Sequence, residues 1–244
     1  MIRPGTRPWY DYHFHHWHRG YWNWWRPRNW FIGGVATGWM LGPRPATFVF
    51  NNPFYDQSSV TVINYSQPLP APPEDAASEP EAMDTADAAI AIFDQAREAF
   101  KNGDFKEALA LADKSIEQLP TDATLHEFRA LCLFAIKEYK QAAATLYAVL
   151  AAGPGWDWDT MRSLYPGVAT YTEQLRALEA YQRANPKSPE ANFVLGYHYL
   201  VMGHLDVAIK KFENVVKLLP DSELSAELLN ALKVESNRPM PQAD

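Results

Sequence analysis

The chain has 244 residues, 47% of them hydrophobic, and a formal net charge of −7. That length allows one large domain or two small ones with a sizeable core, and the single cysteine, Cys132, excludes a disulfide framework. The charge averages unlike parts: residues 1–50 carry six arginines against one acid, Asp11, whereas residues 71–88 carry six acids and no base.

The chain opens on a head, residues 1–45, rich in Trp, His, Arg and Gly. No apolar core follows Met1, so no secretory signal is expected at this start. Within YHFHHWHRGYWNWW, His13, His15, His16 and His18 are weak metal candidates, because imidazole suits zinc, copper and nickel. On a strand His13 and His15 face one way and His16 and His18 the other; on a helix His13 pairs with His16 and His15 with His18. Regular structure therefore offers two ligands at a time, and no specific metal site is expected. Trp30 to Gly42 is the longest apolar window. As a helix it would span about 20 Å, short of a bilayer core of about 30 Å. Gly34, Gly38 and Gly42 share one helical face and would let two helices approach closely. With tryptophan and arginine before them, they resemble the glycine-zipper stretches of bacterial envelope proteins and imply membrane-surface contact. The head is expected to be poorly ordered or interfacial.

Residues 46–66 carry two β-branched and aromatic runs around a turn-forming middle. They predict a β-hairpin with strands Thr47–Phe50 and Val60–Tyr65. Residues 67–87 place prolines before acids and small residues, the composition of an extended linker. From about residue 88 to 235 the pattern is helical, and residues 236–244 are expected to be a disordered tail. The linker is long enough for the head or the hairpin to fold back onto the helical part.

The helical part repeats. KNGDFKEALALADKSIEQLPTD, from Lys101, aligns with VMGHLDVAIKKFENVVKLLPDS, from Val201. Pro120 and Pro154 lie 34 residues apart, Pro186 follows 32 later and Pro220 another 34 later. Each unit is two amphipathic helices. The first ends near Gly103, Lys137 or Gly203, where glycine suits a left-handed C-cap. The small Ala108, Ala142 or Ala208 lets the second helix approach closely, and the proline stops it. Units are expected at about 89–122, 123–156, 157–188 and 189–222, with a capping helix at 223–235. The third is degenerate: Pro166–Gly167 interrupts its first helix, and Gln174 replaces the small residue.

This pattern resembles the tetratricopeptide repeat family over residues 88–233. The last copy carries it best, in Leu195, Gly196, Tyr199, Gly203, Ala208, Phe212 and Pro220. The first keeps Gly103, Phe105, Ala108 and Pro120, and the second Ala130, Tyr139, Ala142 and Pro154. The resemblance implies an all-α solenoid of helical hairpins, about four units plus a cap. It also implies a concave groove, lined by the first helix of each unit, that binds a peptide or a partner protein. By their spacing the groove candidates are Ile90, Phe93, Arg97, Phe100 and Lys101, then Glu127, Leu131 and Phe134, then Glu190, Phe193 and Tyr197. Only Arg97 and Lys101 cluster as cations, so a carboxylate clamp is not expected, and the groove should prefer an apolar or aromatic segment.

No phosphate loop, nucleophile elbow or HExxH motif is present. The expectation is a non-enzymatic scaffold or adaptor without a cofactor. The alternative is an envelope-associated assembly protein in which the head is the working part. No nucleic acid is expected, homo-oligomerisation is an open option, and an envelope location is slightly favoured over a cytoplasmic one.

Overall fold

A computed structural model describes residues 50–56, 63–69 and 80–237. The histidines and glycines singled out in the head lie outside the described residues, as does the end of the chain past Asn237.

Among the described residues there are nine helices: α1 (Pro80–Asn102), α2 (Phe105–Gln118), α3 (Ala123–Ala135), α4 (Tyr139–Ala152), α5 (Trp158–Leu164), α6 (Val168–Ala184), α7 (Pro189–Val201), α8 (Leu205–Leu218) and α9 (Glu223–Ser236). None is long and apolar enough to cross a membrane. The outer helices bury one stripe. In α2 it is Ala108, Ala112, Ser115 and Ile116, and in α8 it is Ala208, Phe212 and Val215. By contrast α3 is buried continuously from Thr124 to Phe134, and most of α4 and α7 is buried as well. A helix buried on every side belongs in the middle of a structure, and these three form its centre.

The same turn closes the first helix of three units. Gly103, Lys137 and Gly203 all adopt positive φ, at 89°, 69° and 78°. In each, the next residue donates its backbone N–H to a carbonyl five residues back: Asp104 to Ala99, Glu138 to Leu133, His204 to Tyr199. These paired bonds satisfy carbonyls that a helix end leaves open. Lys137 takes this conformation without glycine's freedom.

Prolines mark the exits of the second helices, and a buried polar residue then starts the next helix. Asp122 accepts the Thr124 N–H, and Ser188 the Ala191 N–H. The small residues sit where helices meet: Ala108, Ala142, Ala208 and Ala130 are buried. A Cβ added at Gly196 would stand 2.8 Å from the ring of Phe212. Tyr139 and Leu195 are buried, whereas Tyr199 is half-buried and donates to Glu179 at 2.6 Å. Pro120 and Pro220 are exposed and Pro154 is buried.

Stacking departs from a regular solenoid at the third unit. α2 packs on α3, but α4 packs on α7, so the fourth unit stacks directly on the second. The third unit is displaced sideways, its α5 against α1 and its α6 against α7. The cause is local. α5 has only seven residues and ends where Tyr165, preceding Pro166, turns extended at φ −93° and ψ 148°. A helix of two turns, about 10 Å long, is too short to fill a layer between full-length hairpins. α9 closes the far end against α8 and α4.

Residues 50–56 and 63–69 contain no strand. Phe50 and residues 63–65, expected in a hairpin, follow the surface of the array instead, and the rest of that expected hairpin lies outside the described residues. Asn52 joins the two described stretches: its side-chain amide donates to the Tyr65 carbonyl at 3.0 Å and to the Ala144 carbonyl of α4 at 2.8 Å. The two runs are thus clipped together by one side chain.

Candidate interaction surfaces

The concave side is where a peptide groove is expected. The structure places most of its expected lining in packed core. Phe93 meets Phe128 edge-on at 5.0 Å, and Phe100 meets Phe105 and Tyr165. Leu131 and Phe134 are buried, with Phe134 against Tyr171 and against the His198 ring at 4.0 Å. Arg97 is paired with Asp94 at 2.8 Å, and Lys101 is exposed. Burial pulls the Arg97 guanidinium below its ordinary pKa, with Asp94 opposing the shift.

Aromatics of the third unit pack on these residues, Tyr165 on Phe100 and Tyr171 on Phe134. Trp156, Met161 and Leu164 are fully buried, and Tyr165 and Tyr171 nearly so. Beneath them lies a polar contact. The Glu127 carboxyl of α3 accepts the Trp156 backbone N–H at 2.8 Å and the Tyr197 hydroxyl of α7. Burial lifts the Glu127 pKa to about 8 despite these two donors, so the carboxyl is mostly protonated at neutral pH. Burial alone drops His198 to about 3. Among the described residues, no three His, Cys, Asp or Glu side chains are grouped to hold a metal ion. Cys132 is buried, and burial raises its thiol pKa, the state of an inert cysteine.

Phe193, expected in the groove, points elsewhere. It floors a lateral cleft formed by α3, α4 and α7, and that cleft is occupied. The Phe54 ring sits 4.9 Å from Phe193 and 5.9 Å from Tyr147, and Phe50 also packs on Tyr147. Tyr65 is buried over α3: its hydroxyl lies 2.7 Å from Nδ1 of His126, and Arg129 stands 5.6 Å above its ring. Nε2 of His126 lies 2.9 Å from the Pro120 carbonyl, which can only accept. The neutral ring therefore carries its proton on Nε2 and receives the Tyr65 hydrogen on Nδ1. Burial holds His126 neutral by lowering its pKa to about 4. Arg129 is fixed from below by Asp113 at 2.7 Å and Thr145 at 3.1 Å. At the rim, Lys140 pairs with Asp56 at 2.9 Å, both partly exposed. A cavity of about 30 Å³, room for one water, remains between Tyr65, Arg129 and Lys140.

Sequence reasoning did not assign this cleft. Its residues, His126, Arg129 and Tyr147, lie on helix faces that the repeat pattern reserves for packing. The available signal was the polarity of α3, where Thr124, His126, Glu127 and Arg129 stand among apolar residues.

Comparison with known families agrees with this geometry. Residues 93–155 and 173–223 match the tetratricopeptide repeat model. The stretch between the two matches, residues 156–172, includes α5 and the aromatic residues that cover the concave side. No curated protein matches the chain. Helical hairpins with left-handed caps, small residues at helix crossings and this family match together make the chain a tetratricopeptide-repeat protein, its repeats lying within residues 93–223.

Proposed function

We propose that the chain is a non-enzymatic scaffold that docks protein segments in the lateral cleft of α3, α4 and α7. Tetratricopeptide repeats generally mediate protein–protein interaction, which supports the coarse reading. One observation carries the finer one: the cleft already holds a segment of the chain, with Phe54 between Tyr147 and Phe193 and Asn52 hydrogen-bonded to a backbone carbonyl of α4. An aromatic anchor in a pocket beside a satisfied polar contact is the usual anatomy of such docking. Binding in the concave groove would require the aromatic third unit to leave first.

The reading is tested with a full chain carrying Asn52→Ala and Phe54→Ala, in which the cleft is vacated. A fluorescent peptide of residues 48–69 should bind it saturably by anisotropy. The further change Phe193→Ala should abolish that binding. A peptide that never binds the vacated chain sinks the proposal.

A second reading has its own support. Phe50, the first described residue, packs on Tyr147 and so anchors this point of the chain on α4. This favours an array that presents the head, with residues 1–45 as the membrane-contacting part. Sedimentation of the full chain with anionic vesicles, lost when residues 1–45 are removed, is the expected result; equal sedimentation of both chains excludes it.

A further inference from the structure

The two described stretches in the lateral cleft are held by different chemistry. Phe54 rests on the Tyr147 and Phe193 rings, and Asn52 donates to the Ala144 carbonyl. None of these groups gains a proton between pH 7 and 5. Tyr65 is the buried residue of 63–69, its ring edge-on to His126 at 5.6 Å. Its hydroxyl gives its hydrogen to Nδ1 at 2.7 Å. That direction is forced, because Nε2 must donate to the Pro120 carbonyl. The Tyr65 anchor therefore needs a neutral imidazole.

From this geometry we propose that Tyr65 and His126 form an acid-released latch: protonation of His126 frees residues 63–69 from α3, while Phe54 and Asn52 keep residues 50–56 seated. The inference rests on the reading of the cleft as a docking site and adds a control to it. A protonated ring has lost its acceptor. Its Nδ1–H can turn the bond round and donate to the Tyr65 oxygen, but the charge then stays buried one helical turn from Arg129.

The charged groups around the ring do not compensate for that burial. Asp122 at the start of α3 favours the imidazolium and Arg129 opposes it, and α2 contributes Asp113, already paired with Arg129. From α4 come the neutral Thr145 and, at the rim, Lys140 paired with Asp56. Glu127 is turned away, onto Trp156 and Tyr197. Tyr65 itself stays neutral, because burial pushes its hydroxyl pKa up. Burial outweighs the Pro120 carbonyl and Asp122 and lowers the His126 pKa to about 4. Lifting Tyr65 brings water to Nδ1 without unfolding a helix, and the ring then binds a proton near its ordinary 6.5.

Amide hydrogen exchange of the full-length chain, corrected for the intrinsic effect of pH, tests the latch. Protection of residues 63–69 should fall about tenfold per pH unit below 6.5, on the order of 30-fold by pH 5, with α7 and α8 still protected. His126→Asn keeps an acceptor for Tyr65 and cannot gain a proton, so its profile should be flat. Nitrogen NMR of the wild-type ring gives a check that needs no variant: at pH 7 the proton should sit on Nε2.

Constant protection over this range overturns the latch. So does an equal fall in a folded His126→Asn chain, a loss shared with α7 and α8, or a proton found on Nδ1 at pH 7. The 48–69 peptide, titrated onto the vacated chain at pH 7, separates the two ideas. Peptide binding beside pH-independent protection keeps the docking site and removes the latch, whereas a peptide that never binds removes both.

Discussion

The Tyr197 hydroxyl donates to the Glu127 carboxyl from 70 residues further along the chain, joining α7 to α3 beneath the aromatic cover of the third unit. The same carboxyl takes the Trp156 N–H, so one acidic side chain holds three parts of the chain together. Its buried position makes it a sensor of alkaline conditions.

The folded Glu127 carboxyl has a pKa of about 8 against an ordinary 4.5. A raised pKa means that its contribution to stability is complete below pH 4.5 and is lost as pH climbs through 8. Glu127→Gln keeps an acceptor and cannot ionise. The expected outcome is that urea unfolding of the variant loses this alkaline decline, so the difference from wild type moves in the variant's favour by on the order of a few kcal/mol between pH 5 and 9. A difference independent of pH would show that Glu127 does not ionise in this window.

On the acid side the sign reverses. His126 and His198 are held neutral, at about 4 and about 3 against 6.5. Their contributions are present above pH 6.5 and lost as pH falls toward those values. His198→Leu should flatten the acid branch of the stability profile between pH 6.5 and 4. It should do so although it removes the 3.2 Å contact between the Tyr171 hydroxyl and Nδ1 of His198. A variant profile parallel to wild type overturns the assignment.

Gly196 faces Phe212 closely enough that a methyl group would sit 2.8 Å from the ring. Phe212 is itself wedged edge-on against Phe193. Gly196→Ala should destabilise the chain by about 1–3 kcal/mol through overpacking, read as a lower urea midpoint at unchanged slope.

Lys137 occupies the position that glycine holds in two sister turns, with φ 69°. Its side chain is exposed. Lys137→Gly removes the left-handed penalty of about 1–2 kcal/mol and gives back about 0.4–1 kcal/mol in unfolded-chain freedom. A net gain of about 0.5–1 kcal/mol is expected by chemical denaturation.

Phe54→Ala should release residues 50–56 and 63–69 while the array stays folded, because these stretches lie outside the nine helices. Limited proteolysis should then cut within residues 63–69 many-fold faster, with the melting temperature lowered by only a few degrees. Unchanged cleavage would show that Phe54 is not the anchor.

The helices, their caps and the break at Pro166–Gly167 are legible in the sequence because their causes are local: glycine where φ turns positive, proline where a helix stops, alanine where two helices cross. The filling of the concave side was not legible. Spacing says that Phe100, Glu127 and Phe134 share a side, but not that Trp156, Tyr165 and Tyr171 will lie on it, since that depends on how far a seven-residue helix can reach. At Phe50 and residues 63–65, the described part of the run expected as a hairpin, the pattern is met without a strand. Alternation and β-branching describe a chain that is extended and half-buried. They do not distinguish one that pairs with itself from one laid on helices by Asn52, Phe54 and Tyr65.

The bypass of the third unit also changes how the molecule should come apart. In a linear array each repeat touches only its neighbours, so ends can peel away and stability grows repeat by repeat. Here α1 is joined to α5 and α4 to α7, contacts that skip along the chain. Removing α8 and α9 would strip the cover from α7 and, through α7, from α4. Serial truncation should therefore give abrupt collapse in place of graded loss, and thermal unfolding should be a single cooperative transition.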